Sequence, residues 1–118
     1  MSADTEFRAL LAGHAALTAL VSTRIAANAV PQDSAFPLVV FVSQHDSEYG
    51  LDNTLHGTSV THSVQCYATT AAGAEAVADA VAGAVATDAD YLVTARSGGY
   101  DEELALDAVN LTVQRWIV

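Results

Sequence analysis

The sequence contains no lysine. Its basic side chains are four arginines, Arg8, Arg24, Arg96 and Arg115, set against 14 acidic residues, for a formal net charge of −10 and a pI near 4.3. Nucleic-acid binding depends on cationic groups that displace counterions from phosphates, so this composition argues against it. Cysteine is nearly absent as well. Cys66 stands alone, which excludes an intramolecular disulfide and is compatible with a reducing compartment. Aromatics are only 7% of the chain, and the 52% apolar content is mostly alanine and valine. Small side chains bury little area each, so a monomer built from them is expected to gain from burial at subunit contacts. The N-terminus has no basic segment leading into an apolar one, and the Ala-rich stretch 71–89 is interrupted by Glu75, Asp79 and Asp88. Neither a secretory leader nor a membrane span is expected, and the protein reads as soluble and unexported. At 118 residues with 15% charged side chains, the chain is expected to fold as one domain, residues 1–118.

Periodicity supplies the elements. Residues 4–21 predict a helix: Asp4 is placed to cap it, Glu6 sits in the first turn, and Phe7, Leu10, Leu11, Leu17, Leu20 and Val21 recur at helical spacing. Gly13 is a point where that helix can break in two. Arg24–Ala26 fits a short strand, and Asn28–Asp33 around Pro31 fits a loop. Phe36–Ser43 is a short, continuous apolar run and predicts a strand buried on both faces. The polar stretch 45–57, with Gly50, Asp52-Asn53 and Gly57, reads as a long loop. In residues 58–68, Val60, His62, Val64, Cys66 and Ala68 share one face of a strand. Thr69 or Thr70 then caps a helix over 71–87, whose Val77, Val81 and Val85 stripe is flanked by alanines. Residues 91–96 predict a strand, 97–103 a turn with an acidic patch, and 104–117 a last strand with Val109, Leu111 and Val113 inward. Arg115 breaks that alternation. The order α-β-β-α-β-β predicts an α+β fold: a mainly antiparallel sheet of four to five strands with two main helices packed on one face.

No constellation points to catalysis or a metal. His14, His45, His56 and His62 lack the close repeats of a zinc site. His45, Asp46, Glu48, Asp52 and His56 crowd one segment, but their spacing departs from a calcium loop and fits a solvated loop better. His62 and His14 read as packed histidines, and Cys66 as a small buried hydrophobe. The Gly-flanked serine elbow of hydrolases is missing. Gly98-Gly99 lacks the helix and lysine of a phosphate loop. Asp101, Glu102 and Glu103 form an acidic surface turn. The expectation is no enzyme, no metal and no cofactor.

The whole arrangement resembles the tail-terminator, or tail-completion, family of long-tailed phages and phage-derived gene transfer agents. The resemblance lies in the N-terminal segment FRALLAGHAALTALVSTRIAANAVPQD, in which Leu20 to Ile25 turns from helix into first strand. It continues through FPLVVFVS, then SVTHSVQCYATT leading into AEAVADAVAGAV, and ends in DEELALDAVNLTVQRW. It implies a structural particle protein that forms a homo-hexameric ring, caps the tail tube, and meets the tail tube protein and a head-completion (stopper) protein. DNA would pass through the lumen without specific binding, and no membrane would be involved. The implied location is the neck end of a virion or phage-like tail, assembled in the host cytoplasm. An acidic surface suits a channel through which DNA slides. Exposed Tyr and Leu among charges make His45, Asp46, Glu48, Tyr49, Leu51, Asp52, Leu55 and His56 a candidate assembly loop. A small ligand-binding or regulatory α+β domain, and behind it a metal-dependent hydrolase, are the competing readings.

Overall fold

The computed structural model describes residues 3–28, 35–49, 55–102 and 105–117. The N-terminal segment forms two helices, α1 (Ala3–Ala12) and α2 (Ala15–Val21). They part at Gly13, where an added Cβ would lie 3.2 Å from the Ala9 carbonyl oxygen, and extended His14 occupies the N-cap position of α2 with no cap bond from its side chain, its carbonyl accepting from the Thr18 amide at 3.0 Å. Phe7, Leu11, Leu17 and Val21 are fully buried, as their spacing predicts, whereas Leu20 is exposed. After α2, Ser22 adopts a positive φ of 54° and the chain enters β1 (Ile25–Ala27). Arg24 secures this turn, its Nε donating to the Pro37 carbonyl at 2.8 Å and its Nη2 to the Leu20 carbonyl at 3.3 Å.

The other elements are β2 (Leu38–Tyr49), β3 (Leu55–Ala68), α3 (Ala71–Ala86), β4 (Tyr91–Asp101) and β5 (Leu106–Ile117). They complete one five-stranded sheet in the order β1-β2-β3-β5-β4. The fold is α+β, with two corrections to the sequence-based expectation. Among the described residues there are three helices instead of two main ones, and the sheet is mixed, because β1 pairs parallel to β2 while the other pairings are antiparallel. β3 and β4 therefore run in the same direction with β5 between them, so α3 must carry the chain back along the sheet.

Thr70 caps α3, its Oγ1 accepting from the Gly73 amide at 3.0 Å. The buried residues of α3 are Ala74, Val77, Ala78, Ala80, Val81, Ala84 and Val85. These small side chains let it lie close to the sheet and to α2. At Gly83 a Cβ would stand 3.3 Å from His14 Nε2, so glycine there sets the helix-to-helix distance. The main core joins the three helices to one sheet face through Val39, Phe41, Val64, Cys66, Val109, Leu111 and Val113. A smaller cluster of Leu38, Val40, Tyr67 and Leu106 sits apart from it. Alternating residues of β2 thus feed two clusters, which is why Leu38 to Phe41 are all buried.

Two segments expected to be loop or turn are strand. The stretch 45–57 is largely a ladder: β2 runs on to Tyr49 and β3 begins at Leu55, with pairs from His45↔Val60 to Glu48↔Gly57. The next pair is Tyr49↔Leu55, which leaves His56 as an extra residue, a β-bulge. Likewise β4 does not stop at Arg96 but continues through Gly98-Gly99 to Asp101, paired with Leu106–Asn110 of β5.

Candidate assembly surfaces

Six of the eight residues of the candidate assembly loop lie along the paired strands β2 and β3. His45, Asp46 and Tyr49 lie exposed on β2. Glu48 is on the same strand opposite Gly57, and Leu55 and His56 open β3. Leu51 and Asp52 lie outside the described residues. The last β3 residue paired with β5 is Thr58, opposite Ile117. At that last three-stranded rung the Ser47 and Thr58 hydroxyls lie 3.3 Å apart, and beyond it Glu48–Tyr49 and Leu55–Gly57 form a two-stranded ribbon. The structure thus places His45, Asp46 and Tyr49 on one strand, of which only Tyr49 lies beyond the β5 pairing, and does not gather them into a cation site. Among the described residues, no three His, Cys, Asp or Glu side chains group as metal ligands.

Of the acidic turn, Asp101 ends β4 and Glu102 is exposed in the turn after it; Glu103 lies outside the described residues. Asp101 and Glu102 border an open groove of about 470 Å³, which is also lined by Gln65, Tyr67, Gly98 and Tyr100. Its polar floor includes the Tyr67 hydroxyl, which donates to Gln65 Oε1 at 2.8 Å. Burial, then the Asp101 charge, pushes the Tyr67 phenol upward from its ordinary value, so Tyr67 stays neutral.

The most polar part of the core surrounds His62, which has no exposed surface. Its ring stacks on Phe7 at 4.1 Å and 5°, with Phe41 edge-on at 6.2 Å and Tyr91 tilted at 6.1 Å. Its Nδ1 shares a 2.6 Å hydrogen bond with Ser43 Oγ. Burial lowers its pKa to about 4; Asp4 opposes that effect and His45 and Arg115 add to it. A serine beside a histidine is half of a hydrolase constellation, but this ring is sealed under Phe7, where no substrate reaches it. Next to it, Arg115 donates to Glu6 and, at 3.2 Å, to the Tyr91 hydroxyl, while lying 5.2 Å over the Tyr91 ring. That group ties α1 to β5 and to the start of β4. The sequence signals only that Arg115 interrupts an alternation; its partner Glu6 is 109 positions away. Cys66 is buried and its thiol is pushed up to about 12 by desolvation, which makes it inert as a nucleophile.

The sequence matches the family model described as tail completion protein gp17 over residues 5–116. The chain belongs to that family. As a tail-completion protein it is a structural component of a phage-type tail and not an enzyme. Its fold has a counterpart in a solved structure described as the virion of a native gene transfer agent particle. The two chains share 21% identity at a TM-score of 0.76, over 94% of this chain and 90% of that one. At that identity the likeness bears on the fold alone. No curated protein matches the sequence. In a tail-completion protein the surfaces that matter are those that meet other subunits. The candidates here are the β2–β3 arm, the groove beside Asp101 and Glu102, and the margins of the sheet.

Proposed function

We propose that this tail-completion protein folds as a single domain, residues 1–118, and assembles into a homo-hexameric ring. The ring closes the end of a tail tube and joins it to a head-completion protein at the neck. It is assembled in the host cytoplasm, and DNA passes through its lumen. The observation that carries this reading is the β2–β3 arm, whose ladder runs on past the last β5 pairing at Thr58 and which carries exposed Tyr49. A ribbon that projects from its own sheet buries little against its own chain, and a partner is what orders and covers it. His45, Asp46, Glu48, Tyr49, Leu51, Asp52, Leu55 and His56 then form an assembly arm. Asp101, Glu102 and Glu103 supply negative surface. With a net charge of −10, a ring of such subunits repels the DNA backbone and leaves it free to slide.

Two measurements test this. Solution mass with negative-stain imaging, alone and with tube protein, is expected to show six-fold rings. A strict monomer in both conditions would reject the ring. Removing residues 47–55 and reclosing the hairpin is expected to abolish joining of tails to heads. Normal joining by that variant would reject the arm as an assembly element.

A further inference from the structure

Among the described residues, the sheet has two edges without a partner strand. β4 is the last strand on one side. On the other side β1 covers only Val39–Phe41 of β2. Asn28 follows β1 at a φ of 73°, its amide donating to the Phe41 carbonyl at 2.9 Å. Among the described residues no strand lies against Val42–Tyr49 on that side. Natural proteins blunt such edges with lysine, proline or very short strands. Here neither β2 from Val42 on nor β4 contains a lysine or proline, and β4 is 11 residues long; their charges are Asp46 and Glu48 on β2 and Arg96 and Asp101 on β4, and β4 has one register shift, between Val93 and Ala95. The exposed large apolar side chains fall in the same places. Of five among the described residues, four lie on these strands: Val42 at 47% and Tyr49 at 61% on β2, Leu92 at 65% and Tyr100 at 60% on β4.

We infer that the occupant of each edge is the other edge of a second copy, so that β4 of one subunit pairs with the Val42–Tyr49 stretch of its neighbour and the sheets join into one belt around the ring. This rests on the ring reading above and names the contact that builds it. Strand direction supports it. β2 and β5 run one way and β3 and β4 the other. Copies related by rotation about an axis near the strand direction therefore bring β4 and the neighbour's β2 together antiparallel, the more stable pairing. The part of β2 without a second partner among the described residues is eight residues long (42 to 49), about 27 Å at about 3.4 Å per residue, which β4 can span. A head-to-tail contact of this kind closes as a ring and leaves no edge unpaired. A two-fold β4-to-β4 dimer would leave Val42 and Tyr49 uncovered.

The test uses two variants at exposed positions, so that the subunit fold is kept: Val42→Asp with Gln44→Asp on β2, and Leu92→Asp with Ala95→Asp on β4. Circular dichroism checks folding, and mass photometry or sedimentation reads assembly. Wild type is expected as rings. Each variant alone is expected as monomer, with ring mass falling at least tenfold. An equimolar mixture of the two is expected to stop at a dimer, because only one intact β4 edge can meet one intact β2 edge. A β2 variant that dimerises alone would overturn the inference in favour of β4-to-β4 pairing. Rings that survive both variants would overturn it while leaving the ring reading standing, and a monomeric wild type would overturn both. Hydrogen exchange reads the backbone independently of any variant: amides of Thr94–Tyr100 are expected to slow in the ring relative to the monomeric variants. Fast exchange there in an intact ring would also overturn the inference.

Discussion

Acid is expected to loosen this fold through one residue. His62 is held neutral in the core, its pKa lowered from 6.5 to about 4 chiefly by burial. In the unfolded chain the same imidazole takes up its proton near the ordinary 6.5. Between those two values unfolding binds a proton, so stability is full above pH 6.5, falls through the window as pH drops, and has lost the whole contribution below about pH 4. Each tenfold change is worth about 1.4 kcal/mol, so the drop from 6.5 to about 4 puts about 3 kcal/mol at stake, of which about 2.5 kcal/mol is gone by about pH 4.5. That is a large share of the stability of a small domain. The 14 carboxylates also titrate in this range, so the measurement is a comparison. Urea unfolding of wild type and His62→Gln, both as monomers, is followed from about pH 7.5 to about pH 4.5. The carboxylates act alike in both chains and cancel, and the wild-type advantage is expected to shrink by about 2.5 kcal/mol. A gap that stays constant over that range would refute the reasoning.

Further expectations follow from the packing. Phe7→Ala removes the ring that stacks on His62 and meets Phe41 edge-on at 5.2 Å; it should cost about 3–5 kcal/mol in urea unfolding and free α1 to exchange its amides. Thr70→Ala deletes the cap bond to Gly73 and should cost about 1 kcal/mol, read as a lower melting temperature. Arg115→Met removes the half-buried link to Glu6 and Tyr91. Glu6 is partly exposed, so water screens the loss; about 1–2 kcal/mol is expected, less at high salt. Cys66 should resist a thiol reagent in the native protein and react at the unfolding rate once denaturant is added; prompt native labelling would show that β3 is not packed as described.

Where side chains are buried in a regular rhythm, the sequence announces its structure. Val60, His62, Val64 and Cys66 alternate and are all buried on β3, and Val77, Val81 and Val85 line the sheet-facing stripe of α3 capped by Thr70. The rhythm disappears where a strand has little to bury. The segment 45–49 is polar because it leaves the helix-covered part of the sheet and its last rungs, 48–49 with 55–57, run beyond β5; it is held by its backbone ladder, which needs no particular side chain. The end of β4 hides for the same reason, since Gly98-Gly99 imitates a turn while pairing with Val109 and Ala108. A register shift between Val93 and Ala95 also breaks that strand's alternation.

The amino-acid sequence alone determined the charge, the lone inert cysteine, the small-residue core and the succession of most elements, because these follow from composition and from contacts local along the chain. Only the tertiary structure decided that β5 lies between β3 and β4, that β1 runs parallel to β2, and that Arg115 meets Glu6 across 109 positions. It alone shows which strands, among the described residues, lie at the edges of the sheet. Pairing partners and sheet edges are properties of non-local closure, and no residue carries them by itself.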